Sequence, residues 1–519
     1  MHRMYTVFPA LTVLGGLAHA AWYEKGSGIL EELGPKLSKD ARILLKDHEA
    51  FTDASSRWQW WAAPEVSAVV DVYNEDDVSQ TILYANKHDI PFIIKGAGEG
   101  HGATLGLAKA KNAIQIYTKN LDQFDISPSG TTARIGGGIK AKKLIEYLSA
   151  QKKQTVTGAC ECVALAGVAL GGGHGFLQGY YGLLSDQFVS LRIVLANGTA
   201  VTASETEHPD LFWAMQGAGH NFGVVVEFEY KIYDVDYENK KEVWSYEVFT
   251  YPATKDYTRK VYTAAKKSMK TQPKGMLQYG LVLTPPALGS EPVILHHILW
   301  HGPLTEKSKY TQSFHDLEPL NVQNAEGTLL DAPRWMQIDA EGVVCNANKY
   351  VPGAGIPRFP VDLKEYNVEA VVDSVDRFSE VMKTVPELSG SFFMIEQYSV
   401  QGLALKKSED SAVPFRDDTL LLAPAFFYSS LVDGKPNTTI DELAFKYGKE
   451  IKQILVDGAG GKTHAYVNYA YGHESLEEIY GEPWRLEKLR KLKSIYDPEN
   501  RFRFYAPIVV SKEKGHDEL

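Results

Sequence analysis

Four glycine-rich clusters hold most of the residues whose chemistry a folded core does not explain. They are Gly96-Ala97-Gly98-Glu99-Gly100-His101-Gly102, Gly158-Ala159-Cys160, Gly171-Gly172-Gly173-His174-Gly175 and Gly217-Ala218-Gly219-His220-Asn221-Phe222-Gly223. Backbone without side chains approaches a pyrophosphate closely and offers it N–H groups. One such cluster reads as a tight turn, but four in one half of the chain point to a large phosphate-bearing cofactor. None has the GxGxxG spacing at a strand-to-helix turn, which disfavours a nicotinamide site of the Rossmann kind. No Gly-Lys-Ser/Thr follows a suitable run, so a P-loop is excluded. The histidines lack the convergent spacing a metal requires, and His296 and His297 point to opposite faces of one strand.

The chain has three cysteines, Cys160, Cys162 and Cys345. So few exclude a disulfide scaffold, and Cys160 and Cys162 are too close to pair easily with each other. An odd count leaves at least one thiol unpaired, unless something other than sulfur bonds it. No CxxC motif supports thiol-redox work.

The elements that must position these residues follow from apolar periodicity. Residues 69–73 read as a strand, 76–88 as an amphipathic helix and 91–95 as a second strand, before glycines take over. Strands follow at 113–117 and 132–135, with a helix near 140–152. Residues 189–203 form two alternating strands joined at Asn197-Gly198. A helix over 209–216 and a β-branched strand over 224–233 complete an α+β unit. Beyond it, strands at 276–284, 293–301, 391–400 and 419–431 alternate with helices near 257–270, 368–384 and 440–456, which describes a second sheet covered by helices. The Gly/Pro-rich stretch 351–360 reads as a surface excursion over a pocket. A basic helix over 484–495 ends at Asp497-Pro498.

A length of 519 residues implies more than one core, and the net charge of -11 argues against nucleic acid and anionic membranes. A neutral or cationic small molecule suits that charge better. Met1-His2-Arg3, an apolar run and Ala18-His19-Ala20 form a signal-peptide pattern over 1–20, too short and too rich in Gly and Pro for a membrane span. The chain ends His516-Asp517-Glu518-Leu519, the tetrapeptide recognised by the ER-retrieval receptor. Together these ends imply the ER lumen, with secretion as the alternative. Sequons at Asn197 and Asn437 are candidates for glycosylation there.

The segments 91–106, 158–175, 210–225 and Tyr466-Val467-Asn468-Tyr469 through Asn500 resemble the berberine-bridge-enzyme-like oxidases. The variant Cys160-Glu161-Cys162 is most similar to fungal secondary-metabolism members. The resemblance implies a two-domain FAD-binding fold of vanillyl-alcohol-oxidase type, with a central substrate domain of antiparallel sheet covered by helices. It divides the chain into a flavin domain over 62–233, a substrate domain over 234–460, a segment over 461–510 returning to the flavin, and a tail over 511–519. It also implies FAD held covalently, by a cysteine eleven positions before the triple glycine and followed three residues on by valine. Cys160 and Val163 meet that spacing, leaving Cys162 as a buried neighbouring thiol. The second link falls to His101, which stands behind a glycine loop two residues longer than the family's; either the loop bulges or cysteine is the sole link. By the same resemblance Gly96, Ala97, Gly98, Glu99, Gly100, Gly102, Gly158, Gly172, Gly173, His174, Gly175, Val225 and Asn468 contact the cofactor. Tyr469 is the expected general base, with Glu396, on a central strand, as the alternative. The resemblance further implies that hydride passes to the flavin and that O2 reoxidises it to give H2O2. The implied substrate is a hydrophobic or aromatic small molecule; an oligosaccharide, or an oxidase-coupled cyclisation, is the other reading.

Overall fold

The computed structural model describes residues 28–96, 109–235, 242–285, 289 and 291–509. The expected signal peptide and retrieval tail, and His101 with Ala97, Gly98, Glu99, Gly100 and Gly102, lie outside the described residues.

Two sheets form in the first part of the chain. β1 (Arg42–Leu45), β2 (Val66–Asp71), β3 (Phe92–Lys95) and β4 (Ala113–Tyr117) make the first, in the order β1-β2-β4-β3. Its last three strands run parallel because helix α1 (Glu75–Lys87) carries the chain from β2 to β3. Asn74 caps α1 by accepting the Asp77 N–H at 2.9 Å, and Val78, Ile82 and Ala85 bury one helical face. The second sheet is antiparallel: β5 (Phe124–Ile126), β6 (Thr132–Gly136), β7 (Phe188–Val194), β8 (Ala200–Ser204) and β9 (Val224–Lys231), ordered β5-β6-β9-β7-β8. The hairpin between β7 and β8 turns at Gly198, whose φ of 81° suits glycine. Asn197 is exposed on that turn, accepting the Thr199 N–H at 2.9 Å. Helices α2 (Ala141–Ala150) and α3 (Pro209–Ala218) flank this sheet.

The central sheet has seven strands: β10 (Trp244–Pro252), β11 (Met276–Leu283), β12 (Val293–His301), β13 (Asn321–Gly327), β14 (Val361–Leu363), β15 (Phe392–Tyr398) and β16 (Leu420–Ala425). Their order is β13-β10-β12-β11-β15-β16-β14, every neighbour antiparallel. Alternation gives the sheet two dissimilar faces. One carries Phe249, Tyr251, Ile294, Ile298, Phe393, Ile395 and Leu422, and packs against α4 (Lys255–Met269), α5 (Val368–Thr384) and α6 (Thr438–Gly458). These helices bury residues at the three-to-four spacing of one face, such as Val371, Val375, Phe378 and Met382. Asn437 caps α6 through its side chain. The other sheet face carries Tyr246, Leu277, Leu299, Tyr398 and Leu421 into a core shared with Leu170, Leu184, Val225 and Val467. That shared core is where the central sheet meets the glycine-rich half.

The chain returns to the first half through α7 (Pro483–Tyr496) and the turn after it. There Lys493 Nζ reaches Asp497 at 2.6 Å, the Asn221 carbonyl at 2.7 Å and the Phe502 carbonyl at 2.9 Å.

Two expectations need correction. The stretch 351–360 is not a surface excursion: Ala354 to Pro360 are all buried. Its irregular backbone is satisfied by neighbours, with Phe359 N–H donating to the Pro424 carbonyl and Phe426 N–H to the Pro357 carbonyl, each at 3.0 Å. Residues 419–431 are not one strand either. β16 stops at Ala425, because Phe426 turns to that stretch and Phe427 N–H donates to Ser391 Oγ at 3.1 Å. Phe426 and Tyr428 consequently pack in the helix-side core, away from the shared one.

Candidate active site

Cross-strand register assembles the site. His297, Tyr279, Glu396, Leu421 and Asp362 face one another on successive strands from β12 to β14. Directly opposed residues share a face, and Leu421 lies in the shared core, so this row faces the glycine-rich half. Glu396 is 3% exposed. Its two carboxylate oxygens accept hydrogen bonds from Tyr469 at 2.8 Å and from Tyr398 at 2.7 Å. Burial pushes the Glu396 pKa up, against the two phenol hydrogen bonds and the Arg358 charge, which hold it down.

Tyr469 stands in a turn closed by its N–H donating to the Tyr466 carbonyl at 2.8 Å. Burial, and then the Glu396 charge, push its phenol well above the ordinary tyrosine range. That is the reverse of what a tyrosine acting alone as base requires. The two residues expected as alternatives are instead hydrogen-bonded to each other. Arg358, missed in the sequence because its stretch reads as a loop, lies with its guanidinium 4.9 Å from the Tyr469 ring centre and 5.0 Å from that of Trp58. The signal was a cation inside the run Ala354-Gly355-Ile356-Pro357-Arg358-Phe359, otherwise free of charge.

Cys160 is a partly exposed free thiol packed against the shared core. Burial pushes its pKa up to about 12; Arg358 opposes the shift and Glu396 adds to it, which ties the thiol electrostatically to the carboxylate site. Cys162 is not the free thiol expected. It forms a disulfide with Cys345, 183 residues away, a pairing that sequence spacing does not reveal. A Cβ on Gly158 would stand 3.0 Å from Val163, and one on Gly96 would stand 2.8 Å from Ala164, so both glycines approach the stretch that follows the Cys160 turn.

The triple glycine lies beside the tyrosine turn. Gly172 and Gly173 take φ of 98° and 86°, open to glycine but strained for other residues. A Cβ on Gly171 would stand 2.2 Å from Asn468 Oδ1, and one on Gly175 would stand 2.0 Å from the Thr157 carbonyl. Asn468 donates to the Val168 carbonyl at 2.9 Å, while its Oδ1 is buried without a partner. His174 bonds Gln178 at 2.6 Å and stacks on Tyr398; burial brings its pKa down to about 4, so it is neutral. Val225 lies at a bulge in β9, where the register shifts before Glu227. A side-chain-free cradle, an unsatisfied acceptor and a thiol gathered beside an apolar wall fit a flat heterocycle carrying hydrogen-bond donors and a pyrophosphate.

Asp362 is the outer member of the row. Burial, and then the Asp418 charge, hold its carboxyl well above the usual range, with Lys452 and the Tyr466 N–H pulling the other way. A carboxyl raised in the folded state stabilises the fold fully below its unfolded pKa of about 3.9, and that stability is lost as pH rises through the folded value. Asp362→Asn is therefore expected to flatten the decline in thermal midpoint between pH 5 and pH 8. A pH profile parallel to the parent's would contradict this.

Residues 66–204 match a family model described as FAD binding domain, and residues 465–509 one described as berberine and berberine like. The FAD-linked oxidoreductase chyH of Penicillium rubens is 38% identical over 485 residues, covering 92% of this chain and 93% of the relative. The FAD-linked oxidoreductase anuG of Penicillium roqueforti is 37% identical over 489 residues, covering 93% and 92%. Among solved structures, a chitooligosaccharide oxidase superposes with a TM-score of 0.78 at 20% identity, covering 93% of this chain and 100% of that one. The Physcomitrella patens BBE-like 1 protein does so with a TM-score of 0.76 at 20% identity, covering 93% and 99%.

Proposed function

Because this chain belongs to the berberine-bridge-enzyme-like FAD-linked oxidoreductases, we propose that it is an oxidase of a hydrophobic or aromatic small molecule, with Glu396 as its proton acceptor. The observation that carries this reading is the buried Glu396 carboxylate, held by the Tyr469 and Tyr398 hydroxyls at 2.8 and 2.7 Å. Bound FAD would supply the hydride acceptor for the substrate carbon and, through reoxidation by O2, the route to H2O2. The side chains supply orientation and proton transfer. Tyr469 is partly exposed while Glu396 is buried, so the phenol stands between the carboxylate and an incoming O–H or N–H group. As the substrate proton moves to the Tyr469 oxygen, the Tyr469 proton moves to Glu396. Tyr398 holds the second carboxylate oxygen in place. Arg358, over the Tyr469 ring, stabilises the negative charge that develops there as the proton is passed on.

The cofactor is held by Gly158, Val163, Gly172, Gly173, Gly175, Val225 and Asn468, and is linked covalently to Cys160. His101 is the candidate second link. The tyrosines and the neutral His174 and His297 around Glu396 give an aromatic wall beside the Arg358 cation, suited to a neutral aromatic substrate. The protein resides in the ER lumen, retained through its HDEL terminus. The Cys162–Cys345 disulfide supports that reading, since such cross-links persist in oxidising compartments.

The test begins with acid denaturation of the purified protein and mass mapping of its peptides. The yellow colour is expected in the pellet, with flavin mass on the Cys160 peptide. Anaerobic mixing with aromatic alcohols and amines is expected to bleach the flavin, and admitting air to yield H2O2. Bleaching by glucose or cellobiose instead would transfer the protein to the sugar oxidases. A colourless protein would remove the flavin reading altogether.

A further inference from the structure

The Cys160 turn has no helix or strand of its own; the helical turn Leu165–Ala169 starts only later. Lys142 N–H donates to the Glu161 carbonyl at 3.1 Å and Ala141 N–H to the Val163 carbonyl at 2.9 Å, and the middle of the chain holds the turn from its other side. Glu161 N–H donates to the Ile338 carbonyl at 3.2 Å, and Glu161 Oε2 accepts the Ala340 N–H at 2.8 Å. Lys142 reaches the same oxygen at 3.1 Å. At the next position, Cys162 is cross-linked to Cys345. The two residues that follow the flavin-linking thiol are thus both gripped by the segment 338–345.

That segment also holds the opposite wall. The Val344 carbonyl accepts the Trp58 indole N–H at 2.6 Å, and the Trp58 ring carries Arg358. Arg358 lies over Tyr469, which bonds Glu396. One short segment therefore connects the turn that carries the thiol to the wall beside the proton acceptor. Its only covalent tie to the turn is the disulfide, and both sulfurs belong to residues no more than 4% exposed. Beside it the segment reaches the turn through one backbone hydrogen bond, from Glu161 N–H to the Ile338 carbonyl, and one at the partly exposed Glu161 carboxylate, each individually weak against local opening.

We propose that the Cys162–Cys345 disulfide is a positioning element for flavin attachment: it keeps the Cys160 sulfur within reach of the flavin ring, so loading at Cys160 depends on it. This rests on reading Cys160 as a flavin-linking residue. Attachment replaces the thiol S–H and one ring C–H by a C–S bond. The two protons and two electrons released pass to O2 as H2O2, the acceptor that the oxidase reading already supplies.

The experiment compares the full-length parent with Cys162→Ser/Cys345→Ser, using peptide mapping for flavin on Cys160, total FAD content and thermal unfolding. The double variant is used because either single variant frees a thiol next to Cys160. The expected result is a folded variant that binds FAD but carries about tenfold to a hundredfold less flavin on Cys160, the scale on which small displacements act. A merely structural cross-link would lower the unfolding midpoint without moving that fraction. Parental flavin loading on Cys160 in the variant overturns the proposal. An unmodified Cys160 in the parent overturns the attachment reading itself, and the proposal with it. If the serine pair yields no soluble protein, Cys162→Val/Cys345→Ala keeps the buried contacts apolar and is judged by the same outcomes.

Discussion

Glu396→Gln is expected to slow flavin reduction by substrate about 10²- to 10⁴-fold, the range for removing a positioned general base, without loss of bound FAD. Gln keeps the shape, accepts one of the two phenol hydrogen bonds at its single oxygen and offers an amide N–H to the hydroxyl oxygen of the other. What it lacks is an oxygen basic enough to keep the proton. The pH dependence carries the same information. Burial raises the Glu396 pKa, and the base works only when ionised. The parent's reduction rate should therefore rise with pH through a midpoint above the ordinary glutamate value, and the Gln variant should lose that rise. Tyr469→Phe should cost less, because a water or the substrate itself can then meet the carboxylate. Stopped-flow reduction under anaerobic conditions reads all three proteins. A larger loss in Tyr469→Phe than in Glu396→Gln would make the tyrosine the base.

The two base candidates were legible in the sequence as separate options, and their union was not. Tyr469 lies 73 residues from Glu396, in a turn outside any sheet, so no periodicity connects them. Their meeting depends on Glu396 facing the glycine-rich half, and hence on register across β11, β15 and β16. Strand existence was easier to read than register. The strand Val293–His301 and the helix Val368–Thr384 fall where apolar spacing puts them, because their buried faces are long and regular. Residues 419–431 looked equally apolar, yet only the first part joins the sheet, because a side chain and an irregular segment capture the backbone after Ala425.

Arg358 and the disulfide were hidden for a shared reason. Both depend on a neighbour far away in sequence that makes an irregular segment buried rather than exposed. Gly and Pro normally mark surface turns, but residues 354–360 are buried because residues 424–430 supply the missing hydrogen-bond partners. Cys345 likewise offers no spacing clue toward Cys162, since the partner is fixed by how the central segment folds back. The glycine clusters suffered least: a positive φ or a close backbone approach is a local demand, and Gly172, Gly173 and Gly175 meet it where the sequence places them.

Lys493→Met is expected to destabilise the fold by about 3–5 kcal/mol, the usual cost of leaving one member of a buried ion pair uncompensated. The Lys493 and Asp497 side chains are both 0% exposed. Burial lowers the Lys493 pKa, against the pull of Asp497, so the ammonium depends on its partners to stay charged. Methionine fills the space of the alkyl stem but donates nothing. Asp497 would keep the Arg501 and Phe502 N–H groups at 2.7 and 2.9 Å, while the Asn221 and Phe502 carbonyls lose the lysine donor. Asn221 also binds the Tyr480 hydroxyl, the Ala506 carbonyl and the Ile508 N–H. Loosening this knot releases the end of the segment that delivers Tyr469, because Tyr505 anchors that turn by donating to the Val467 carbonyl at 2.9 Å. Flavin reduction should therefore weaken along with stability. Lys491→Met, two residues away and exposed, serves as the control and should stay within about 0.5 kcal/mol of the parent. Urea unfolding followed by flavin absorbance and by tryptophan fluorescence reads both variants. Equal midpoints for Lys493→Met and Lys491→Met would show that the buried pair holds nothing in place.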